Sequence, residues 1–460
     1  MRIGIDFGTT HTSAAFYDGQ TTHLIPLDPE SLNPYLLRSM IYITREQECY
    51  LGLKAVRTFL EQDTGRRPVY AEKMVGTIEF TVAQQYKEPG QDGPITVIQD
   101  VVIDDEIGAN GRLLQSIKTG LRSDSYRGTQ IFAHYYTLSD LIALLLGHVR
   151  TCAEQVLHAE IRQATLGRPV RFSTDPDEDR HAEERLRAAA TLAGFEQVDF
   201  VPEPVAAAAS YLKQVQQPET ALIFDFGGGT LDLTLLLVDA AGTHQLLATH
   251  GVLIGGDDLD SALMHHRVAN AFGANTIMDQ TFDGRPLLFP EKLAKHLDQW
   301  QTIPNLSRPE AMTLIKQAQR YSPEPHKFCA LESLIYQNHG FALFEQIEQA
   351  KRRLSSIDET RLEMHVEGID LSLPLTRPEF RQVVMDALAE ARQGVRTILQ
   401  QAGIAATAVD VIVLTGGSSA IPVFQKMLVN ECPNARLVET DAFSSVTSGL
   451  AIYAHDVSKP

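Results

Sequence analysis

The chain has 460 residues, of which 44% are hydrophobic and 21% charged, as in a soluble globular protein of roughly two to four domains. Its formal net charge of −18 argues against a nucleic-acid-binding protein, which needs basic patches against phosphate. No apolar run reaches the roughly 18 residues that predict a membrane-spanning helix, and the start of the chain enters a strand rather than a signal peptide. The scattered cysteines indicate buried free thiols in a reducing, cytoplasmic compartment: Cys49, Cys152, Cys329 and Cys432.

The N-terminal part begins with a predicted hairpin over residues 1–18, followed by a strand-rich peripheral subdomain over about 39–110 whose pairing the sequence leaves open. A long helix is predicted over 138–157, because Thr137 and Asp140 form a capping pair before an apolar stripe. We expect these elements to flank one sheet.

Two further helices complete the first half of the chain. One is predicted from Asp175 to about residue 193, with acidic residues at its positive end and a C-capping glycine, Gly194, after it. An alanine-rich helix over 205–213 follows, and the Gln-Gln-Pro break at 216–218 ends this half. We therefore predict a first lobe over residues 1–217.

The central stretch, residues 223–232, reads Ile-Phe-Asp-Phe-Gly-Gly-Gly-Thr-Leu-Asp and lies between two apolar runs. This pattern predicts a hairpin whose glycine turn lets backbone N–H groups approach an anion. The carboxylate of Asp225 at the strand end is suited to Mg²⁺, directly or through water. Taken alone, the motif is equally typical of a glycine turn without a ligand.

A second copy of this pattern lies at residues 3–13, where Asp6 aligns with Asp225 in the sequence Asp-Phe-Gly followed by a hydroxyl-rich turn. Two such hairpins at half-chain spacing predict two similar halves. If the turns face one another, they would clamp a polyphosphate between them. This repetition favours nucleotide binding over an empty turn.

The second half, residues 218–460, continues the alternation of strands, glycine turns and helices, with a helical insertion over about 258–345. A helix over 344–356 carries one polar face, formed by Glu348, Lys351, Arg352 and Ser355. Further helices are predicted over 378–402, from Pro422 and over 445–454, with a strand over 409–414. The alternation predicts an α/β fold in which each half is a mixed sheet flanked by helices.

Several motifs appear in a fixed order: the two Asp-Phe-Gly hairpins, Pro-Glu-Pro-Val-Ala-Ala-Ala at 202–208, Gly-Gly-Asp-Asp-Leu-Asp at 255–260, Glu-x-x-Lys-Arg-x-Leu-Ser at 348–355 and Leu-Thr-Gly-Gly-Ser at 414–418. Together they resemble the nucleotide-binding domain of the Hsp70 family, within the actin/hexokinase/Hsp70 superfamily. The stretches at 167–172 and 443–451 are similar to the YegD-like branch of chaperone relatives. The resemblance implies an actin-like ATPase fold that binds ATP or ADP with Mg²⁺.

The resemblance also implies residue roles. Asp6 and Asp225 would hold Mg²⁺, largely through water, while Glu203 would contact its hydration shell or orient the attacking water, and Asp232 would accept a proton near the γ-phosphate. The phosphate loops would comprise Gly8, Thr9 and Thr10, and Gly227, Gly228, Gly229 and Thr230. The nucleoside would lie among Gly255, Gly256, Asp257, Glu348, Lys351, Arg352, Ser355, Gly416, Gly417 and Ser418. Without the resemblance, the charged helix face would be interpreted as solvated surface.

The phosphate-activating lysine has two candidates. Lys73 lies in Ala-Glu-Lys-Met-Val-Gly, which is similar to the typical Hsp70 segment, whereas Lys118 lies in Ser-Ile-Lys-Thr-Gly-Leu, which is similar to the YegD-like segment. We prefer Lys118 as the catalytic lysine. A further departure is Ala420, which stands where the family has an adenine-stacking arginine and predicts weaker nucleotide affinity.

The resemblance leads us to expect an Hsp70-like, slowly hydrolysing ATPase that acts as a monomeric nucleotide switch, with no membrane or nucleic-acid partner and with unidentified protein clients. Because the sequence ends at Pro460 without a β-sandwich, we expect no peptide-binding domain. The alternatives from the same superfamily are an actin-like filament-forming protein and, less favoured, a small-molecule kinase.

Overall fold

The computed structural model describes residues 1–66, 70–82, 95–106, 108–212, 217–239, 244–279, 285–439 and 445–457; within these ranges the side chains of 70–82, 95–106, 208–212 and 244 are not described. The strands are β1 (Arg2–Phe7), β2 (His11–Tyr17), β3 (Thr22–Leu24), β4 (Leu37–Arg38), β5 (Ile41–Thr44), β6 (Cys49–Leu51), β7 (Tyr70–Val82), β8 (Ile95–Glu106), β9 (Gly111–Leu114), β10 (Gly128–Ile131), β11 (His134–Thr137), β12 (Gln163–Arg168), β13 (Gln197–Pro202), β14 (Glu219–Phe226), β15 (Leu231–Val238), β16 (His244–Val252), β17 (Ile277–Asp279), β18 (Leu287–Leu288), β19 (Glu359–Val366), β20 (Ile369–Thr376), β21 (Val411–Thr415) and β22 (Arg436–Glu439).

The α-helices are α1 (Gly52–Gln62), α2 (Leu138–Leu157), α3 (Pro176–Leu192), α4 (Glu203–Leu212), α5 (Gly256–Leu263), α6 (Glu291–Ala294), α7 (Pro309–Tyr321), α8 (Pro325–Tyr336), α9 (Gly340–Ser356), α10 (Arg377–Val383), α11 (Met385–Ala402), α12 (Pro422–Glu431) and α13 (Ser445–Val457). A π-helical turn, Met264–Val268, follows α5, and short 3-10 segments include Ile117–Arg122 and Gly417–Ala420.

Two sheets with the same connectivity form the centre of the molecule. The first sheet has the order β13-β12-β1-β2-β3, with β4 also paired to β2, and the second has the order β22-β21-β14-β15-β16. In each, an antiparallel meander is extended by two parallel strands. We call the parts built around these sheets the first and second lobes. The repeat of Asp6 and Asp225 in the sequence therefore corresponds to a repeated fold.

Helices α4 and α13 lie where the two lobes meet. Close approaches need small residues there: a Cβ on Gly449 of α13 would lie 1.7 Å from the carbonyl oxygen of Ala206 in α4, and a Cβ on Gly4 of β1 would lie 2.3 Å from the Ala451 nitrogen. Helix α13 thus packs on the first sheet although it follows the second in sequence. The boundary between the two lobes at residue 217 stays a prediction.

Local signals account for the flanking helices. Thr137 and Asp140 form the expected capping box of α2, which buries one stripe that includes Leu141, Leu145 and Val149 against the first sheet. Gly194 adopts a φ of +94° immediately after Ala193, the C-cap residue of α3. These helices and strands β1, β2 and β12 enclose one apolar core, and a larger one fills the second lobe.

Three expectations need correction. The helix predicted over 378–402 is interrupted at Val384, where α10 ends and α11 begins. The insertion over 258–345 is not wholly helical, because β17 and β18 form a short hairpin within it. The cysteines are free, as expected, but of the four only Cys432 is buried, whereas Cys49 and Cys329 are exposed.

Candidate functional site

The two Asp-Phe-Gly turns face each other across the cleft between the lobes. A Cβ on Gly228 would lie 1.9 Å from Thr10 Oγ1, and one on Gly229 would lie 2.6 Å from Thr9 Oγ1. Because no larger residue fits without displacing the threonine side chains, glycine at these positions lets the turns approach. The turn of the first lobe and the turn of the second thus meet in one place.

A third glycine segment packs behind the second turn. The N–H groups of Gly256 and Asp257, at the start of α5, donate to the carbonyl oxygens of Gly227 (3.0 Å) and Gly228 (2.9 Å). Gly255 fits because a Cβ there would lie 2.1 Å from the Gly228 oxygen. A stack of backbone turns therefore lies at this end of the cleft.

The turn after β21 joins the same group. Gly416 has a φ of +76°, in the region that favours glycine, and a Cβ there would lie 2.4 Å from the Phe226 oxygen. The Ser418 hydroxyl donates to the Gly227 oxygen over 3.2 Å. Backbone contacts thus connect three motifs that are far apart in sequence.

The turns open into a cavity of about 460 Å³ between the lobes. Most of the residues predicted for the site line it: Asp6, Gly8, Thr9, Thr10, Lys118, Glu203, Asp225, Gly227, Gly228, Gly229, Thr230, Gly256, Asp257, Glu348, Lys351, Arg352, Ser355, Gly416, Gly417 and Ser418. Two predicted residues, Gly255 and Asp232, do not line it. Asp232 is buried behind the turn, where its Oδ1 accepts a 2.9 Å hydrogen bond from the Val170 N–H.

Lys118 reaches the floor of the cavity from the 3-10 segment Ile117–Arg122 and donates to Glu203 Oε1 at 2.5 Å. Burial opposes its charge, yet the neighbouring carboxylates of Glu203, Asp6 and Asp232 raise the pKa of Lys118 above its ordinary value. The ammonium group is therefore retained in a buried position. Lys73, the alternative lysine, lies in β7, where side chains are outside the described part of the chain.

Buried carboxylates surround this lysine. Burial, together with Glu203, raises the pKa of Asp6 to about 7, and the same causes raise that of Asp232 to about 7. Burial and the carboxylates of Glu203, Asp232 and Asp6 raise the pKa of Asp225 well above its ordinary value. These raised values follow first from burial and then from repulsion among the carboxylates, and Lys118 offsets them only in part.

Helix α9 presents the polar face that the sequence predicted. Lys351 Nζ donates to Asp260 Oδ2 at 2.6 Å and to the Gly256 oxygen at 2.9 Å, and Arg352 donates to Glu348 Oε1 at 2.5 Å. Burial, with Glu348 and Asp257 nearby, raises the pKa of Asp260 to about 7 although Lys351 opposes the shift. This face thus forms part of the cavity wall, although Arg352 is also exposed to solvent.

The turn after β21 has Ala420 where the sequence comparison leads one to look for an arginine. Ala420 is exposed and does not line the cavity, whereas the adjacent Ile421 does. The structure thus places a short side chain outside the cavity at this position.

Several contacts between the lobes were not anticipated from the sequence. Arg38 pairs in a fork with Glu345, at 3.0 and 2.8 Å, Ser116 Oγ donates to Asp257 Oδ2 at 2.7 Å, and Trp300 Nε1 donates to Gln115 Oε1 at 2.7 Å. The sequence around either partner does not predict such pairs. The one signal for Glu345 was its position, because it precedes Glu348 on the same face of α9.

Within the described ranges, no cluster of three or more His, Cys, Asp or Glu side chains is arranged to hold a metal ion by itself. The same ranges contain no helix that is both long and apolar enough to cross a bilayer.

The Hsp70 protein family model matches residues 114–296 and 338–459, about two thirds of the chain. The matched segments contain Lys118, Glu203, the second glycine turn and the polar face of α9. The repeated sheet order with a cleft between the lobes accords with this match. The chain belongs to the Hsp70 family, an ATP-binding, chaperone-type family, and has the actin-like ATPase fold.

Proposed function

We propose that this protein binds ATP with Mg²⁺ between its lobes, hydrolyses it slowly, and uses the exchange of ATP and ADP to open and close the cleft. The observation that carries the proposal is the meeting of the two glycine turns, with Gly228 against Thr10 and Gly229 against Thr9. Backbone N–H groups in such turns suit phosphate oxygens. Family membership supports adenine nucleotides as the ligands.

The charge of the cavity supports a cation as part of the ligand. Among the described lining residues, eight carboxylates outnumber four lysine and arginine side chains. A polyphosphate alone would add further negative charge. A nucleotide that arrives with a divalent cation would relieve this repulsion.

The residues present fit Mg²⁺. Asp6 is half-buried and Asp225 is buried, and their carboxylates offer the oxygen atoms that Mg²⁺ prefers. Mg²⁺ in nucleotide sites is held by one or two carboxylates with water and phosphate. Both side chains line the cavity. When bound, the cation would neutralise charge on the phosphates.

The chain's own residues would divide the remaining tasks. Lys118 would hold its positive charge against the terminal phosphate, and Glu203, which pairs with it at 2.5 Å, would orient the attacking water. Asp232 would receive a proton from a position behind Thr230. Lys351, Arg352 and Ser355 would bind the nucleoside, and Gly255 would keep α5 close to the second turn.

We further place the protein in the YegD-like branch of the family, as a monomer. The segments that favour this branch are Gly-Arg-Pro-Val-Arg-Phe at 167–172 and Ser-Ile-Lys-Thr-Gly-Leu at 116–121. The buried position of Lys118 supports the choice of lysine that this branch requires.

Calorimetry and thermal unfolding test the proposal. We expect ATP and ADP with Mg²⁺ to bind and to raise the Tm, because a ligand of the native state raises apparent stability by mass action. AMP and magnesium-free ATP should bind more weakly. Sedimentation in ATP should show a monomer; filaments would favour the actin-like alternative. Absence of both heat and a Tm shift would refute nucleotide binding.

A further inference from the structure

Arg122 has no assigned role, although it lies in the cavity beside the glycine turns. It ends the 3-10 segment that carries Lys118, it is half-buried, and its guanidinium donates to the carbonyl oxygen of Gly229 in the other lobe. The point that a Cβ on Gly229 would occupy is 3.1 Å from Arg122 Nη2 and 2.6 Å from Thr9 Oγ1. Arg122 is therefore beside the junction of the two turns.

The other basic side chains of the cavity are already neutralised. Lys118 pairs with Glu203, Lys351 with Asp260, and Arg352 with Glu348, at 2.5, 2.6 and 2.5 Å respectively. Arg122 differs, because no carboxylate among the described residues lies within ion-pair distance of it. It brings an uncompensated positive charge into a cavity that is otherwise acidic.

The guanidinium also has unused donors. An arginine carries five N–H donors, and the Gly229 oxygen is the single hydrogen-bond acceptor that Arg122 has among the described residues. The remaining donors form a fork of the kind that binds phosphate oxygens in pairs.

The order of contacts along the cleft indicates which part of a ligand Arg122 meets. Lys351 on α9 contacts Gly256, Gly256 contacts Gly227, and Arg122 contacts Gly229 two residues further along the turn. If the nucleoside lies at α9, Arg122 lies at the far end of the row. That end suits the phosphate most distant from the nucleoside.

We propose that Arg122 binds the terminal phosphate of a nucleoside triphosphate and so lets the site distinguish triphosphate from diphosphate. The inference rests on the proposed function. A purely structural alternative is that Arg122 only braces the lobes through Gly229. The brace would affect both nucleotides equally, whereas a terminal-phosphate contact affects ATP alone.

The test compares Arg122→Gln and Arg122→Lys with the unaltered protein by calorimetry in Mg²⁺. We expect Arg122→Gln to weaken ATP binding by about 10-fold or more and ADP binding by less than about 3-fold, since a hydrogen bond to a charged group is lost only with ATP. Arg122→Lys should recover part of the ATP affinity. Arg57→Gln is the matched control, because Arg57 is exposed and pairs with Glu30 outside the cavity.

Apo Tm values near that of the unaltered protein would show that the variants fold. Equal losses of ATP and ADP affinity, or no loss, would overturn the proposal. If the unaltered protein binds no nucleotide, the proposed function fails, but inorganic triphosphate and pyrophosphate remain probes. In that case, loss of triphosphate binding but not of pyrophosphate binding in Arg122→Gln would still support the role of Arg122. Equal binding of triphosphate by the variant and the unaltered protein would refute it.

Discussion

The pair formed by Lys118 and Glu203 sets the charge at the floor of the cavity. Lys118 is buried with 8% of its surface exposed, and three carboxylates keep it protonated despite the cost of burial. A preorganised ammonium group can stabilise charge that develops on a phosphoryl group without rearrangement. These features favour Lys118 over Lys73 as the lysine that stabilises charge on the phosphate.

Replacement of Lys118 by alanine should reduce ATP hydrolysis by about 10²-fold, as the loss of one electrostatic stabiliser typically does. Lys73→Ala should have little effect. Single-turnover hydrolysis at saturating ATP measures both without interference from weaker binding. The opposite ranking would assign the role to Lys73.

His11 predicts a pH dependence of stability. Burial, assisted by Arg38 and Arg352 and opposed by Glu348, lowers the pKa of His11 to about 4. The unfolded chain, with a histidine pKa near 6.5, therefore takes up a proton at a higher pH than the folded protein. The contribution of His11 is complete above about pH 6.5 and is lost as the pH falls towards 4.

His11→Gln should remove this contribution. Urea unfolding of the unaltered protein should lose on the order of 2–3 kcal/mol more than the variant does between pH 7.5 and pH 4. Parallel pH profiles for the two proteins would contradict the assignment of this loss to His11.

At the scale of the element, close backbone packing predicts different effects for two glycines. A Cβ on Gly255 would lie 2.1 Å from the Gly228 oxygen, so Gly255→Ala must push α5 away from the second turn. We expect a loss of roughly 1–3 kcal/mol in the free energy of unfolding, as for other overpacked sites. ATP binding should weaken because the turn shifts.

Gly417→Ala is the matched control, since no atom beyond the adjoining residues lies within 4 Å of the position its Cβ would take. Its free energy of unfolding should change by less than about 0.5 kcal/mol, as expected of a substitution without contacts. Urea titrations of both variants measure the difference. Equal destabilisation would show that the loss at Gly255 comes from backbone flexibility and not from the clash.

Elements with strong local signals were predictable. The capping pair of α2, the glycine after α3 and the two glycine hairpins depend on neighbouring residues, and the structure confirms them. The break at Val384 was not predictable, because the residues around it continue a helical pattern. Tertiary packing there overrides propensity.

The cavity was only partly predictable, for a related reason. Repetition and family motifs identified both turns and α9, whereas Arg122 and Ser116 contact residues 107 and 141 positions away. The pairs that connect the lobes depend on how two separately folded sheets face each other. No short segment contains that information.

At the scale of the molecule, a cluster of aromatic side chains beside the cavity joins the two lobes. Phe59 of α1 packs against Trp300 and Phe341, with ring centroids 6.3 and 5.7 Å apart, and Trp300 also packs on Phe341 at 5.2 Å. Trp300 is the only tryptophan of the chain and also bonds to Gln115. We expect opening of the cleft to separate these groups.

Trp300 fluorescence should therefore report lobe movement without a label. If ATP and ADP favour different cleft openings, the emission should move to longer wavelength in the more open state, because the indole becomes more hydrated. Phe59→Ala should shift the apo emission in the same direction. Identical spectra in ATP, ADP and the apo protein would count against a nucleotide switch.

The position of α13 has a consequence for biosynthesis. Strands β1 and β2 leave the ribosome well before the helix that packs on them, which emerges about 430 residues later. At roughly 5–20 residues per second, this delay lasts on the order of 20–90 s. During that interval the apolar surface that α13 later covers is exposed, so we expect the emerging chain of this Hsp70 relative to bind other chaperones itself.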